Sequence, residues 1–338
     1  MTHLHARLPS QAPLWALLAL SVAPLAARAA ILLKLATLAP EGSAWMRTLE
    51  QWKDDVAAAS GGEVRIRIYP AGIMGEEKDV LVKIRAGQLD GGGFLGNGIA
   101  RICPEANALM LPLTFRDHEE VDAAMKDLSP WLEERARANG FVVLGWTEVG
   151  FSLLFSNREI RTLEDLRRAK VWALPNEPML AELFRQAGVG AVPVPVADVL
   201  TALQTGLLDT VYSPPLAAVA MQWTGRVKHF NDLRLAYSFG GLFIAKRAWD
   251  RIPEAFREPF REAARRRTSA LTAEVRRSNE DALDVLRRNG LSVVPIPPAE
   301  VERFREISER TRLALRGSLV PAEADERVQS FLRRRRQP

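Results

Sequence analysis

The chain has 338 residues, 47% of them apolar and 26% charged, with 46 Lys and Arg against 41 Asp and Glu. That composition excludes a disordered polymer and leaves enough length for two domains. The small basic excess is scattered along helix-forming stretches without aromatic interleaving, which reads as a solvated surface and not as a nucleic-acid interface.

Residues 1–29 read as an export leader. Arg7 precedes an apolar run from Leu14 to Leu25, and Ala27-Arg28-Ala29 is a small-x-small cleavage signal. The mature chain is expected to begin near Ala30, in the periplasm. The run is short for a membrane span, and no later segment reaches the roughly eighteen uncharged apolar residues of one. The single cysteine, Cys103, lies far from the cleavage site. A soluble product with neither lipid anchor nor disulfide is therefore expected.

The mature sequence opens with a strand, Leu32 to Ala36, a loop from Thr37 to Ser43, and a helix in which Trp45, Leu49, Trp52 and Val56 recur at helical spacing. Gly61-Gly62 ends that helix. Alternating Val64, Ile66 and Ile68 make a second strand, closed by Pro70, and a helix from about Glu76 to Ala86 leads through Gly87 to Leu89-Asp90. Gly91-Gly92-Gly93-Phe94-Leu95-Gly96 matches G-x-G-x-x-G, but it follows a third strand and no ribose-binding acid comes after it. A glycine-rich cleft loop is expected there in preference to a nucleotide site. The apolar run Asn107 to Phe115 is broken by Pro112, helix-forming sequence covers Glu119 to Asn139, and strands are expected at Phe141 to Trp146 and at Leu153 to Phe155.

Two strand-to-helix units fill Arg161 to Trp223. Thr162 and Asp165 can cap a helical turn that leads into the buried strand Val171 to Leu174, stopped by Pro175. A helix from Pro178 to Ala187 has Gly188 at its C-cap, Val192, Val194 and Val196 give an extended segment, and a helix from Asp198 to Thr205 ends at Gly206 before a strand through Tyr212. Asp79-Val80-Leu81 with Gly87, Leu89 and Asp90 recurs at the same spacing as Asp198-Val199-Leu200 with Gly206, Leu208 and Asp209. Two lobes built alike would produce this echo; so would any two amphipathic helices with Gly C-caps before strands. Ligands collect beyond the carboxyl ends of parallel strands, so Trp172, Asn176, Tyr212 and Ser213 are expected to face one cleft. Farther on, Pro253 to Asn289 reads as one long helix, Leu291 to Ile296 as a strand, Ala299 to Arg316 as a last helix, and Arg333 to Arg336 as a solvated basic tail.

Catalytic chemistry is thin. Beyond the leader only His118 and His229 remain, without paired ligand spacing, and Cys103 has no assignable activating neighbour. No metal, cofactor or catalytic set is expected, and binding is read in preference to an exported enzyme.

The order Gly42-Ser43, Gly61-Gly62, Tyr69-Pro70, Gly75-Glu76, Leu89-Asp90, Pro104-Glu105 and Leu111-Pro112-Leu113, followed by Thr162 to Leu166, Pro193-Val194-Pro195, Thr201 to Gly206 and Leu208-Asp209, resembles the DctP-type extracytoplasmic solute-binding proteins of TRAP transporters. The resemblance implies an α/β, two-lobed periplasmic binding protein fold, each lobe a mixed sheet flanked by helices, with a long helix spanning both. Lobe 1 would comprise residues 30–147 plus about 238–265, and lobe 2 residues 148–237 plus about 266–338. It further implies closure on a small molecule that is handed to membrane permease subunits. Typical members resemble Lys-Ile-Arg-Val where this chain has Lys170-Val171-Trp172-Ala173, so Trp172 replaces a carboxylate-clamping Arg. Ser152 stands where sialic-acid-type members carry a second Arg, and Tyr212-Ser213-Pro214 replaces Glu-Asn-Pro. This pattern is similar to the branch associated with tetratricopeptide-repeat periplasmic partners, which implies a predominantly apolar ligand. Phe94, Leu95, Trp146, Phe151 and Phe239 would complete its lining. A small organic acid held in a non-standard site is the alternative.

Overall fold

The computed structural model describes residues 30–337, and the expected leader lies outside them. The chain begins with β1 (Ile31–Ala36), α1 (Ala44–Ala59), β2 (Val64–Tyr69), α2 (Glu77–Arg85) and β3 (Gly91–Leu95). Ser43 caps α1 by accepting from Met46 N, and a Glu76/Asp79 capping box starts α2. β1 pairs in parallel with both β2 and β3, so the winding reverses across β1. Next come α3 (Gly96–Ile102), α4 (Asn107–Met110), α5 (His118–Ala138) and the 16-residue β4 (Phe141–Ser156).

A second winding follows: α6 (Leu163–Arg167), β5 (Trp172–Ala173), α7 (Pro178–Ala187), β6 (Val192–Pro193), α8 (Val199–Thr205) and β7 (Thr210–Ser213). The Thr162/Asp165 box starts α6, and Gly188 and Gly206 close α7 and α8 in the left-handed conformation, as their spacing requires. The chain ends with α9 (Pro215–Ala220), β8 (His229–Asn231), β9 (Ala236–Ala245), α10 (Lys246–Arg251), α11 (Glu254–Arg288), β10 (Ser292–Val294), α12 (Pro298–Leu315) and α13 (Ala322–Arg336).

The sequence echo is a structural repeat. Lys34 N donates to Asp90 Oδ2 at 2.8 Å and Asp90 N to Lys34 O at 2.7 Å; Lys170 N donates to Asp209 Oδ1 at 2.8 Å and Asp209 N to Lys170 O at 3.1 Å. Leu35 is in register with Gly91, and Val171 bridges Thr210 at the equivalent step. Leu89 and Leu208 are both fully buried one residue before these aspartates. Each Asp also meets an arginine, Arg251 for Asp90 and Arg158 for Asp209. A shared βαβαβ plan explains all of this; a generic Gly C-cap explains none of it.

Two expectations about strands change. Gly91 to Leu95 is not a cleft loop but β3 itself, wedged between β1 and β9. A Cβ on Gly91 would lie 2.3 Å from Phe243 O, and one on Gly92 2.4 Å from Ala36 O, so the glycines serve close backbone approach. The strands expected at Phe141 and Leu153 are one strand, because β4 keeps pairing with β9 through two register shifts, between Val143 and Gly145 and between Glu148 and Gly150. These bulges carry the pairing through Thr147 to Ser152, between the two expected strands. The far end of β4 pairs with β7 and β8, so this strand carries the chain from one half of the molecule to the other.

Two hydrophobic cores result. One contains Trp52, Phe94, Phe243 and Phe260; the other contains Phe155, Trp172, Leu203 and Phe304. The 35-residue α11, roughly 50 Å long, gives Phe260 and Ala264 to the first and Leu286 to the second. The C-terminal segment departs from the expected division: Leu315, Val320, Val328 and Leu332 pack in the first core, not the second. Nor do Arg333 to Arg336 form a free tail. They end α13, where Arg336 donates to Glu120 and to Thr114 O at 2.7 Å. Among the described residues no helix is long and apolar enough to cross a membrane.

Candidate functional site

The carboxyl ends of β1 and β3 in one half, and of β5 and β7 in the other, define the crevice where a doubly wound sheet receives a ligand. On the first side, α1 begins beside this edge and delivers Trp45. A Cβ on Gly240 would lie 2.3 Å from the Trp45 ring and one on Gly93 3.9 Å from it, so the indole lies on a glycine floor made by β9 and β3. Trp45 is half-buried there. Its helical spacing alone does not distinguish it from Leu49 and Trp52; the glycines at 93 and 240, which leave room for a flat ring, are the signal for this placement.

Beside it, β3 turns into α3. The Glu77 carboxylate accepts from Leu95 N at 2.6 Å and Gly98 N at 2.8 Å, holding the turn. Burial pushes the Glu77 carboxyl up to about 7, against the opposing effect of those two amides. Leu95 projects at 38% exposure. Burial raises the Glu177 carboxyl of the other half above its usual range, against the opposing effect of the Met179 amide and the nearby Asn97 side chain. Met179, the next buried residue, packs in the first core, so the two halves meet at this mouth.

On the second side, Trp172 is 5% exposed. Its Nε1 donates to Val194 O at 2.8 Å, its ring stacks on Tyr212 at 4.8 Å between centroids, and Trp223 meets its edge at 5.2 Å. The Tyr212 hydroxyl accepts from Leu174 N at 3.2 Å, and burial raises its ionisation well above the usual range. Ser213 is buried and donates to Pro214 O; Pro214 is half-buried. Asn176 is exposed in a left-handed turn, φ 61°.

The expected site residues therefore fall into three groups. Trp172, Tyr212, Ser213, Pro214 and Asn176 share the edge of the second half, with the two rings directed into its core and Asn176 at the surface. Phe94 and Trp146 both pack edge-on against Phe243 in the first core, with Leu95 at the mouth beyond. Phe151 and Phe239 flank Tyr237 between the crossing strands, with His118 and Phe115, and Ser152 is buried next to them in β4.

That third group adjoins a charged cluster that sequence reading missed. Glu148, 3% exposed, accepts from Arg276 Nη2 at 2.8 Å and from the Tyr237 hydroxyl, while Arg276 holds Asp122 with two bonds of 2.6 and 2.8 Å. His118 lies 3.8 Å from Glu148, and burial, with Arg276 nearby, lowers its proton affinity. The cluster joins β4, β9, α5 and α11 beside the Gly150 bulge, φ 109°. It ties the crossing strands to the long helix.

The family model described as DctP, bacterial extracellular solute-binding protein, family 7, matches residues 35–312. The 2,3-diketo-L-gulonate-binding periplasmic protein YiaO of Escherichia coli is 24% identical over 72% of this chain and 75% of its own length. The C4-dicarboxylate-binding periplasmic protein DctP of Rhodobacter capsulatus is 23% identical over 78% of this chain and 76% of its own. Among solved structures, a TRAP periplasmic solute-binding protein from Ochrobactrum anthropi, with its C-terminus bound in its ligand-binding pocket, superposes with a TM-score of 0.83 at 24% identity, covering 91% of this chain and 96% of that one. A galacturonate-bound one from Xanthobacter autotrophicus gives 0.77 at 19%, covering 88% and 98%. The matched span takes in both windings, β4, β9 and α11, and the chain belongs to family 7 of the bacterial extracellular solute-binding proteins, the DctP family of TRAP solute-binding proteins.

Proposed function

We propose that this protein is the periplasmic receptor of a TRAP-type secondary transporter, that it captures a predominantly apolar solute by lobe closure, and that it delivers this solute to membrane permease subunits without catalysis. A tetratricopeptide-repeat periplasmic protein is a candidate further partner. Trp172 carries the reading. At the position where the resemblance expects a guanidinium, an indole satisfies its own N–H on Val194 O and stacks on Tyr212. No cation replaces it among the expected site residues. A carboxylate bound there would lack charge-assisted hydrogen bonds and lose several kcal/mol of compensation, whereas each buried methylene gains about 0.8 kcal/mol. Trp45, Leu95, Asn176 and Pro214 are the proposed contacts, with Trp172 and Tyr212 as the floor beneath them.

A small organic acid is the second reading, favoured by the relatives: one is named for C4-dicarboxylates, and solved structures of the fold hold galacturonate, orotic acid and D-erythronate. Calorimetry on delipidated protein separates the two. Palmitate binding tighter than succinate, galacturonate and pantoate supports the apolar reading. Tight binding of one of those acids with no heat from palmitate replaces it with the second.

A further inference from the structure

A groove of about 760 Å³ runs along α7, between that helix, the Ala173–Pro178 segment and the approach to β6. Its base is apolar: Phe184 is 2% exposed and Val189 7%. Phe184 rests against Tyr212 at 5.9 Å between centroids, so the groove is backed by the same ring that stacks on Trp172. Leu174 and Ala191 add apolar wall. The basic side chain along it, Arg185, is held by both carboxylate oxygens of Glu182, at 2.6 and 2.7 Å. Asn176 and Glu177 also line the groove, and the Asn97 side chain of the opposite lobe lies near enough to Glu177 to favour its ionised form. The groove is thus continuous with the mouth where the two halves touch, polar at that end and apolar beyond it.

We propose that this groove is an extension of the solute site that takes the alkyl tail of an amphiphilic ligand whose polar head lies at the Asn97, Asn176 and Glu177 mouth. The assignment rests on the apolar reading of the function and specifies it. It makes the ligand longer than the cleft alone would hold, and it makes α7 a determinant of chain length.

Gly190 gives a direct test. A Cβ there would meet nothing within 4 Å, and its φ lies outside the left-handed region, so Gly190→Leu places a side chain in the groove without backbone strain. Ala181→Phe, from the exposed α7 side, fills it independently. Octanoate, decanoate, dodecanoate and palmitate are titrated into delipidated protein by calorimetry, with the mass of each variant checked by native mass spectrometry. In the unmutated protein, affinity is expected to rise about two- to three-fold per added methylene, less than the roughly four-fold of full burial because the groove is open. Both variants should bind palmitate at least about ten-fold more weakly and octanoate within about two-fold of the unmutated protein. An unchanged chain-length dependence in both variants overturns the tail assignment while leaving the apolar receptor intact. A change of oligomeric mass in the variants, with lipid affinity unaltered, makes the groove a contact between copies and likewise overturns it. Absence of binding by every chain length to the unmutated protein overturns the apolar reading itself.

Discussion

Trp172 shows how far a single position reaches. Truncation to Ala would remove a stacked, hydrogen-bonded indole from the second core, an expected loss of about 3–5 kcal/mol. Trp172→Arg should cost more, because a guanidinium would be buried against Tyr212 without a carboxylate. Urea unfolding curves check both, and an Arg variant as stable as the unmutated protein would mean that the site has room for a charge. The burial of Trp172 was legible in its neighbours: Val171 to Leu174 is a continuous apolar run, the mark of a strand covered on both faces. Its place at the carboxyl edge of a parallel strand, and the family resemblance, pointed instead to the cleft. Glu77 gives a second prediction at this scale. Its carboxyl is held up to about 7 by burial, whereas an unfolded Glu titrates near 4.3. Between those values the folded state binds more protons than the unfolded one, so stability falls as pH rises from about 4.5 through about 7. Glu77→Gln should flatten that slope in pH-dependent unfolding. It should also lower stability by about 1–3 kcal/mol, since an amide cannot accept from both Leu95 N and Gly98 N.

At the scale of elements, the two windings were the most readable part of the chain. Gly C-caps, the Thr162-x-x-Asp165 capping box and alternating valines placed α2, α6, α7 and α8 and their strands, because each of these signals acts within a few residues. The Asp90 and Asp209 clamps follow from the same local plan. Asp90→Ala and Asp209→Ala are each expected to destabilise by about 1–3 kcal/mol, through an orphaned backbone amide at Lys34 or Lys170. Thermal unfolding of both variants checks this, and a large loss for one with none for the other would show that the clamps are not equivalent. What could not be read locally was long-range pairing. The bulges that make β4 one strand depend on β9, about ninety residues away, and the packing of Trp45 on Gly93 and Gly240 depends on three separate elements. Gly240→Ala should cost about 1–3 kcal/mol by displacing that indole, and much of the cost should vanish in a Trp45→Ala background. Additive losses in this double-mutant cycle would show that the two residues do not compete for the same space.

At the scale of the molecule, β4, β9 and α11 join two cores that each bury their own aromatic cluster. Composition and repeat spacing pointed to two lobes, but nothing in the sequence around Ala322 to Arg336 showed that the last helix returns to the first core. That return depends on contacts such as Arg336 with Glu120, more than two hundred residues apart. The packing of Met179 from α7 into the first core places the meeting of the halves at the mouth, and makes their relative motion the natural route for solute entry. Val82, 63% exposed on α2, and Leu207, 53% exposed after α8, give one labelling site per lobe. Cys103 does not compete for label: it is buried, and burial together with Glu105 pushes its thiol up to about 12. Spin labels on Val82→Cys and Leu207→Cys report the lobe separation by pulsed dipolar spectroscopy, in delipidated protein with and without saturating palmitate. A solute receptor that closes on an apolar ligand gives a shorter, narrower distance distribution with palmitate; identical distributions, with palmitate shown to be bound by calorimetry, would contradict closure on that ligand.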